Sequence, residues 1–259
     1  MTASELFQAG QLQAAIDAQV QKVKAQPADQ AARLFLFELL LFSGDLDRAR
    51  RQLDVLKYDK PEATAAVDSY RNALASEQAR RDVLAGKARP KSPKDLPAHA
   101  ELRLQALAAS NPAEAGALID QANADTPVVR GTVNGKPVEG LRDADELFGT
   151  ILEVFAGGNY LWIPLEQIES VSMNPPASPR DILLRPAQIV VREGPTADVL
   201  LPGLYPGSYA NPDEAIRLGR VTDWPSGDDG PARGAGGKLL LAGENWVQFV
   251  EWATFEAQD

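Results

Sequence analysis

Apolar residues recur at helical spacing through the first half of the chain. Leu12, Ile16, Val20 and Val23 fall on one stripe of a helix beginning near Leu12. The run from Leu34 to Phe42 is apolar at every position except Glu38. A helix that is apolar all round is either buried on every side or keeps a face for a partner. Residues 62–86 read as one long helix, with Tyr70, Ala73 and Leu74 among its apolar positions. Two shorter helices are expected near 97–109 and 112–123, and Pro112 suits a first helical turn. The basic, proline-broken stretch Lys87 to Lys94 between them reads as a solvated linker.

The same half repeats itself. Gly10-Gln-Leu-Gln-Ala-Ala15 returns as Gly44-Asp-Leu-Asp-Arg-Ala49, and Gly10/Gly44, Leu12/Leu46, Ala15/Ala49 and Pro27/Pro61 are each 34 residues apart. That is the tetratricopeptide period. Glycine permits the tight turn between helices, alanine their close approach, and proline a stop. The match is incomplete: Arg33 and Phe37 stand where the repeat favours a large aromatic residue and a glycine, and Gln78 replaces the glycine of a third copy. Two repeat-like units followed by a degenerate helical extension are expected.

Beyond Thr126 the pattern changes. Asn134-Gly135 between extended flanks is a strong hairpin signal. Tyr160–Ile163, Ala187–Val191, Leu239–Leu241 and Trp246–Val250 read as strands. Leu147, Phe148, Ile151, Leu152 and Phe155 recur at helical spacing, with Asp143 and Glu146 as a capping box and Gly157-Gly158 as the stop, so one main helix is expected there. The reading is α+β, with an all-α repeat-like domain over 1–126. A smaller, mostly antiparallel sheet or open barrel carrying that helix follows over 127–259.

Composition sharpens the division. Residues 1–126 hold 16 Lys/Arg, 17 Asp/Glu, 4 Gly and 6 Pro; residues 127–259 hold 10, 19, 16 and 13, and all four tryptophans. The formal net charge of −10 therefore lies almost wholly in the second half, which argues against nucleic acid as a partner. No apolar run reaches the length of a membrane span, and the N-terminus lacks the regions of a signal peptide. A soluble cytoplasmic protein with no membrane partner is expected. The absence of cysteine excludes disulfides and thiol chemistry, and a single histidine leaves little for metal ligation.

Candidate chemistry is sparse, and no cofactor is expected. Asp143, Asp145 and Glu146 could hold a metal or serve as an acid/base pair, the basis of an alternative reading as a metal-dependent hydrolase. Acidic residues at a helix start are equally expected from the macrodipole. Asp228-Asp229 reads as a solvated loop. Gly234-Ala-Gly-Gly-Lys238 fails the phosphate-loop spacing, since Leu239 occupies the Ser/Thr position. His99, beside Pro97, reads as a surface residue far from any nucleophile.

An ordered series of small motifs is more specific than any of these. The helical front end followed by Gly131-Thr-Val-Asn-Gly135, Arg142-Asp-Ala-Asp145, Leu152-Glu-Val154 and Tyr160-Leu-Trp-Ile-Pro164 resembles the ImpE/TagJ (SciE-like) family. The likeness continues through Pro179–Leu184, Leu201–Tyr205, Leu218–Trp224 and Gly234–Gly237. It implies a non-enzymatic accessory protein of bacterial type VI secretion systems. Such a protein binds the N-terminal helix of the small contractile-sheath subunit and is linked, indirectly, to the ATPase that recycles contracted sheath. No catalytic residue carries over. Arg142, Asp143, Tyr160, Trp162, Tyr205, Arg220 and Trp224 belong to the motifs and can be architectural. For helix-in-groove binding the candidate walls are Leu34, Phe35, Phe37 and Leu41 of the apolar helix, or Tyr160, Trp162, Tyr205 and Trp224 of the second domain. A general scaffold built on the helical repeats is the competing reading.

Overall fold

The computed structural model describes residues 1–56, 61–225 and 230–258. Its first half runs through α1 (Ala3–Gln8), α2 (Leu12–Ala25), α3 (Gln30–Phe42), α4 (Leu46–Asp54), α5 (Pro61–Leu84), α6 (Ala98–Leu107) and α7 (Pro112–Asp125). The helices α1 to α4 are the two repeat-like units, each packed on the next. Gly10 and Gly44 make the inter-helix turns at φ +83° and +69°, a left-handed conformation that costs glycine nothing sterically. Asp29 and Asp45 accept the backbone N–H of Ala32 and Arg48 and so cap α3 and α4. Where a third repeat would turn, α5 continues unbroken through Gln78.

The apolar helix α3 is largely buried. Leu36, Phe37, Leu39, Leu40 and Phe42 are inside, and Leu34, Phe35 and Leu41 pack half-buried against the same core. Each such side chain contributes about 1.5–3 kcal/mol relative to exposure. Part of the cover comes from the second half, through Ile182, Leu183 and Leu218.

That half contains β1 (Arg130–Val133), β2 (Lys136–Glu139), β3 (Leu141–Asp143), β4 (Ile151–Ala156), β5 (Asn159–Pro164), β6 (Ile168–Met173), α8 (Arg180–Leu183), β7 (Leu184–Val191) and β8 (Thr196–Pro202). There follow α9 (Glu214–Arg217), β9 (Thr222–Asp223), β10 (Ala235–Gly236), β11 (Leu239–Ala242), β12 (Asn245–Gln248) and β13 (Thr254–Ala257). Eight strands form one open antiparallel sheet in the order β2-β1-β13-β6-β7-β8-β4-β5, larger than the small sheet expected. A three-stranded sheet, β12-β11-β3, and the β9–β10 pair complete it. The Asn134-Gly135 hairpin is present, with φ of +50° and +74°.

The main helix expected over 143–155 does not exist. Ile151–Ala156 is strand β4, and Gly157-Gly158 is a hairpin turn into β5, with φ of +54° and +79°. The apolar run misleads because β4 is buried on both faces, so side chains that share a helical stripe are simply consecutive interior positions. The supposed capping box is not formed: Asp143 accepts from the Asp145 N–H in a tight turn, as Asp145 does from that of Leu147, and Glu146 accepts from the Ala232 N–H. Nor is the basic stretch a free linker. Lys91 bonds through its backbone to Tyr160 and Trp162, which covers the outer edge of β5.

The two halves share cores. Val83, Ala100, Ala106 and Ile119 of the helices pack with Phe148, Phe155 and Trp162 on one face of the sheet. The other face closes over Val171, Ile189, Leu201, Trp252 and Phe255. Among the described residues no helix is long and apolar enough to cross a membrane.

Candidate functional site

Where α5 crosses β4, ionisable groups meet inside the protein. Glu153 of β4 is 1% exposed. Arg80 of α5 grips it with two bonds, Nε to Oε1 and Nη2 to Oε2, each 2.7 Å. Lys238 Nζ lies 2.7 Å from Glu153 Oε2 and 3.2 Å from Asp143 Oδ2. Tyr160 donates its hydroxyl to Glu153 at 2.6 Å and accepts from Trp162 Nε1 at 2.6 Å, while Tyr205 donates to Asp143 at 2.8 Å. Two cations and two carboxylates thus balance, with their remaining hydrogen-bonding capacity met by phenols, which is the condition under which buried charge is tolerated. Burial pushes the Glu153 carboxyl up, but Arg80 and Lys238 pull it down further, to about 2. Burial raises Asp143, against the pull of Lys238, and raises the phenol of Tyr205.

This network uses up the acidic cluster. Asp145 is held by Arg233 Nε at 3.0 Å and by the Gly234 N–H at 2.9 Å, and Glu146 accepts the Ala232 N–H at 2.6 Å. The three carboxylates serve separate partners, and among the described residues no group of three or more His, Asp or Glu is placed to hold a metal ion. Asp228-Asp229 lies outside the described residues. His99 is not on the surface: it is buried in α6 with Nε2 at 2.5 Å from Glu166 Oε1, because the helix turns that face onto the sheet half.

The residues expected to face a partner are mostly inside. Phe37, Tyr160, Trp162 and Tyr205 are interior side chains, the last three belonging to the charge network or its immediate packing. Leu34, Phe35 and Leu41 are half-buried, Phe35 edge-on to Phe7. Trp224 is half-exposed, between Tyr205 and the open Trp246. Around it the alternation of Val221–Trp224 is resolved: Val221 and Asp223 face outward, Thr222 and Trp224 inward.

The second half also clasps both repeat turns. The α2 helix has no cap of its own; Glu214 supplies one, accepting the Leu12 and Gln13 N–H groups at 3.1 and 2.8 Å. Arg220 donates to the Phe7 carbonyl at 2.8 Å beside Gly10. At the second turn Tyr209 packs flat on Gly44, and Arg81 lies over the Tyr209 ring while donating to the Gly44 carbonyl at 3.1 Å. Arg180 pairs with Glu38 of α3. A groove of about 620 Å³ lies open between α5 and the β7–β8–β4 part of the sheet. Its α5 wall includes Ala66, Ser69 and Ala73, and Asp68, Asp181 and Asp198 outnumber Arg180 along it.

Sequence reasoning missed Arg80, Glu153 and Lys238. Glu153 carried a signal, since a carboxylate inside Ile151–Phe155 has to be given a cation if the run is buried. Arg80 carried none.

Fold and site together define a helical-repeat protein whose repeats are held by a strand-rich half through a buried charge network. Residues 135–256 match the family described as ImpE protein, and residues 6–76 match a tetratricopeptide repeat. The type VI secretion system accessory component TagJ of Pseudomonas aeruginosa is 35% identical over 227 residues, 86% of this chain and 81% of that protein. The crystal structure of protein VPA1032 from Vibrio parahaemolyticus has the same fold, with a TM-score of 0.90 over 99% of this chain and 97% of that one, at 23% identity. The chain belongs to the ImpE/TagJ family of type VI secretion accessory proteins.

Proposed function

We propose that this protein is a cytoplasmic, non-enzymatic adaptor of a type VI secretion system that binds the N-terminal helix of the small sheath subunit. Through that subunit it is linked to ATPase-driven sheath recycling. The observation that carries the reading is the kinship with TagJ along most of both chains. The geometry supports it in two ways. The acidic side chains at the centre of the molecule are committed to structural ion pairs and turns. The open groove beside α5 has a wall of small residues that lets another helix approach closely, and an acidic margin that suits a helix with a basic rim.

The test is a fluorescence-anisotropy titration of the labelled N-terminal helix peptide from the cognate sheath subunit against the full chain. Saturable binding with Kd below about 100 μM is expected. Ala66→Arg, an exposed position in the groove wall, should weaken it at least tenfold while leaving the melting temperature unchanged. Absence of binding at that concentration defeats the adaptor reading. Binding untouched by Ala66→Arg moves the helix to another surface.

A further inference from the structure

Among the described residues of the acidic half, one arginine is buried without a carboxylate bonded to it. Arg185 of β7 is 2% exposed. Its Nη1 donates to the Val250 carbonyl at 3.3 Å, and its Nε has no acceptor. Asp181, the carboxylate that bears on it through space, is engaged elsewhere. Its Oδ2 accepts the Ala177 and Ser178 N–H groups at 2.8 and 2.9 Å, and its Oδ1 faces Arg180 at 3.9 Å. A guanidinium keeps its charge at any physiological pH, so Arg185 is a desolvated cation with most of its donors unspent.

It lines a pocket of about 290 Å³, on the opposite face of β7 from the α5 groove, which Leu184 and Pro186 line instead. Arg220, Thr222, Gln248 and Val250 share the pocket. Two residues on from Thr222 and two before Gln248 stand Trp224 and Trp246, with ring centroids 6.4 Å apart. Trp246 is 59% exposed, and Val250, on the pocket wall, is exposed as well. Trp246 and Val250 are among the few exposed large apolar side chains of the described residues, and β12, which carries Trp246, is an edge strand.

We propose that this pocket docks a segment of a partner protein that sets an Asp or Glu carboxylate against Arg185 and an apolar side chain on the Trp224–Trp246 pair. A carboxylate matches the planar fork of an unpaired guanidinium with two charge-assisted hydrogen bonds. An aromatic rim around a desolvated arginine is the composition of an interface hot spot, and the pocket lacks the repeated lysines of a phosphate-backbone site. The surrounding half, at net −9, repels acidic partners at a distance. The segment is therefore neutral or basic overall with one acidic residue, which fixes its register. The site is independent of the α5 groove and of which protein fills that groove.

The full chain, labelled with 15N-arginine, is titrated to about 10 mM with acetyl-Lys-Leu-Glu-Leu amide, which is neutral overall, its Gln counterpart, and inorganic phosphate. The Arg185 Nε–H resonance, assigned with Arg185→Lys, and tryptophan fluorescence are followed. The Glu peptide is expected to shift both saturably, at least tenfold more tightly than the Gln peptide. Gln248→Glu, at an exposed position on the pocket wall, supplies the carboxylate in cis. It should raise the melting temperature and abolish binding of the Glu peptide. Equal binding of the two peptides, an unmoved Arg185 resonance, a shift produced by phosphate alone, or a Gln248→Glu variant that melts lower each overturns the proposal.

Discussion

Glu153 holds the centre of the molecule by being the anion that Arg80 and Lys238 both need. Replacing it with Gln takes from Arg80 its bidentate partner and leaves Lys238 only Asp143, and removing one partner of such a buried pair costs about 3–5 kcal/mol. Chemical denaturation of Glu153→Gln at pH 7 is expected to show a loss of that size. The pH dependence has a definite sign. The Glu153 carboxyl titrates at about 2 in the folded protein against an ordinary value of 4.5, so its contribution is complete above 4.5 and disappears as the pH falls towards 2. The gap in stability between the native protein and Glu153→Gln should narrow steadily from pH 5 downwards. A gap that stays constant with pH would mean the charge of Glu153 is not what stabilises. In the sequence this residue was half legible: a carboxylate among Ile151, Leu152, Val154 and Phe155 demands a cation. Which cation was not, because Arg80 arrives from a helix 73 residues away and is one charge among many on α5.

At the scale of elements, the repeat was read correctly because its turns impose a backbone requirement that leaves a mark in sequence. Gly10 and Gly44 are glycines for their positive φ, and Gly44 also because Tyr209 occupies the space of a Cβ. Gly86 ends α5 at nearly the same φ, +70°, with nothing near it. Gly86→Ala should therefore cost only the left-handed strain, about 1–2 kcal/mol. Gly44→Ala should cost clearly more and loosen the second half from the repeat. Thermal melts of the two variants separate backbone strain from the Tyr209 contact, and equal losses would show that Tyr209 yields freely. Strand β4 was misread for the complementary reason. Periodicity distinguishes helix from strand only where one face is wet, and Ile151–Phe155 has no wet face. The strands with one outward face, such as β7 and β11, were legible.

For the molecule as a whole, composition divided the chain at Thr126, and secondary structure changes there. Packing crosses the same line, through the shared core, the Arg80–Glu153 pair and the Glu214 cap on α2. None of these pairings has a local signature, which is why sequence left the relation between the halves open. The two halves should unfold together. Far-ultraviolet circular dichroism reports chiefly on the helices, and tryptophan fluorescence on the second half, where all four tryptophans lie, and through Trp162 on the core it shares with the helices. Coincident transitions in denaturant are expected, and two separated midpoints would refute the coupling.

The order of strands has a consequence in time. Strand β13 lies between β1 and β6, with Gly131 opposite Ala257 and Val171 opposite Phe255, so the eight-stranded sheet is interrupted until its last-made strand appears. At ribosomal speeds the wait between β1 and β13 is on the order of ten seconds. During that interval the helices and the β4–β5 hairpin can form, while the β1–β2 hairpin and β6 each keep a bare edge where β13 will insert. Nascent chains crowded on one messenger offer those edges to each other, so the yield of folded protein should depend on how quickly β13 is made as well as on how stable the completed sheet is.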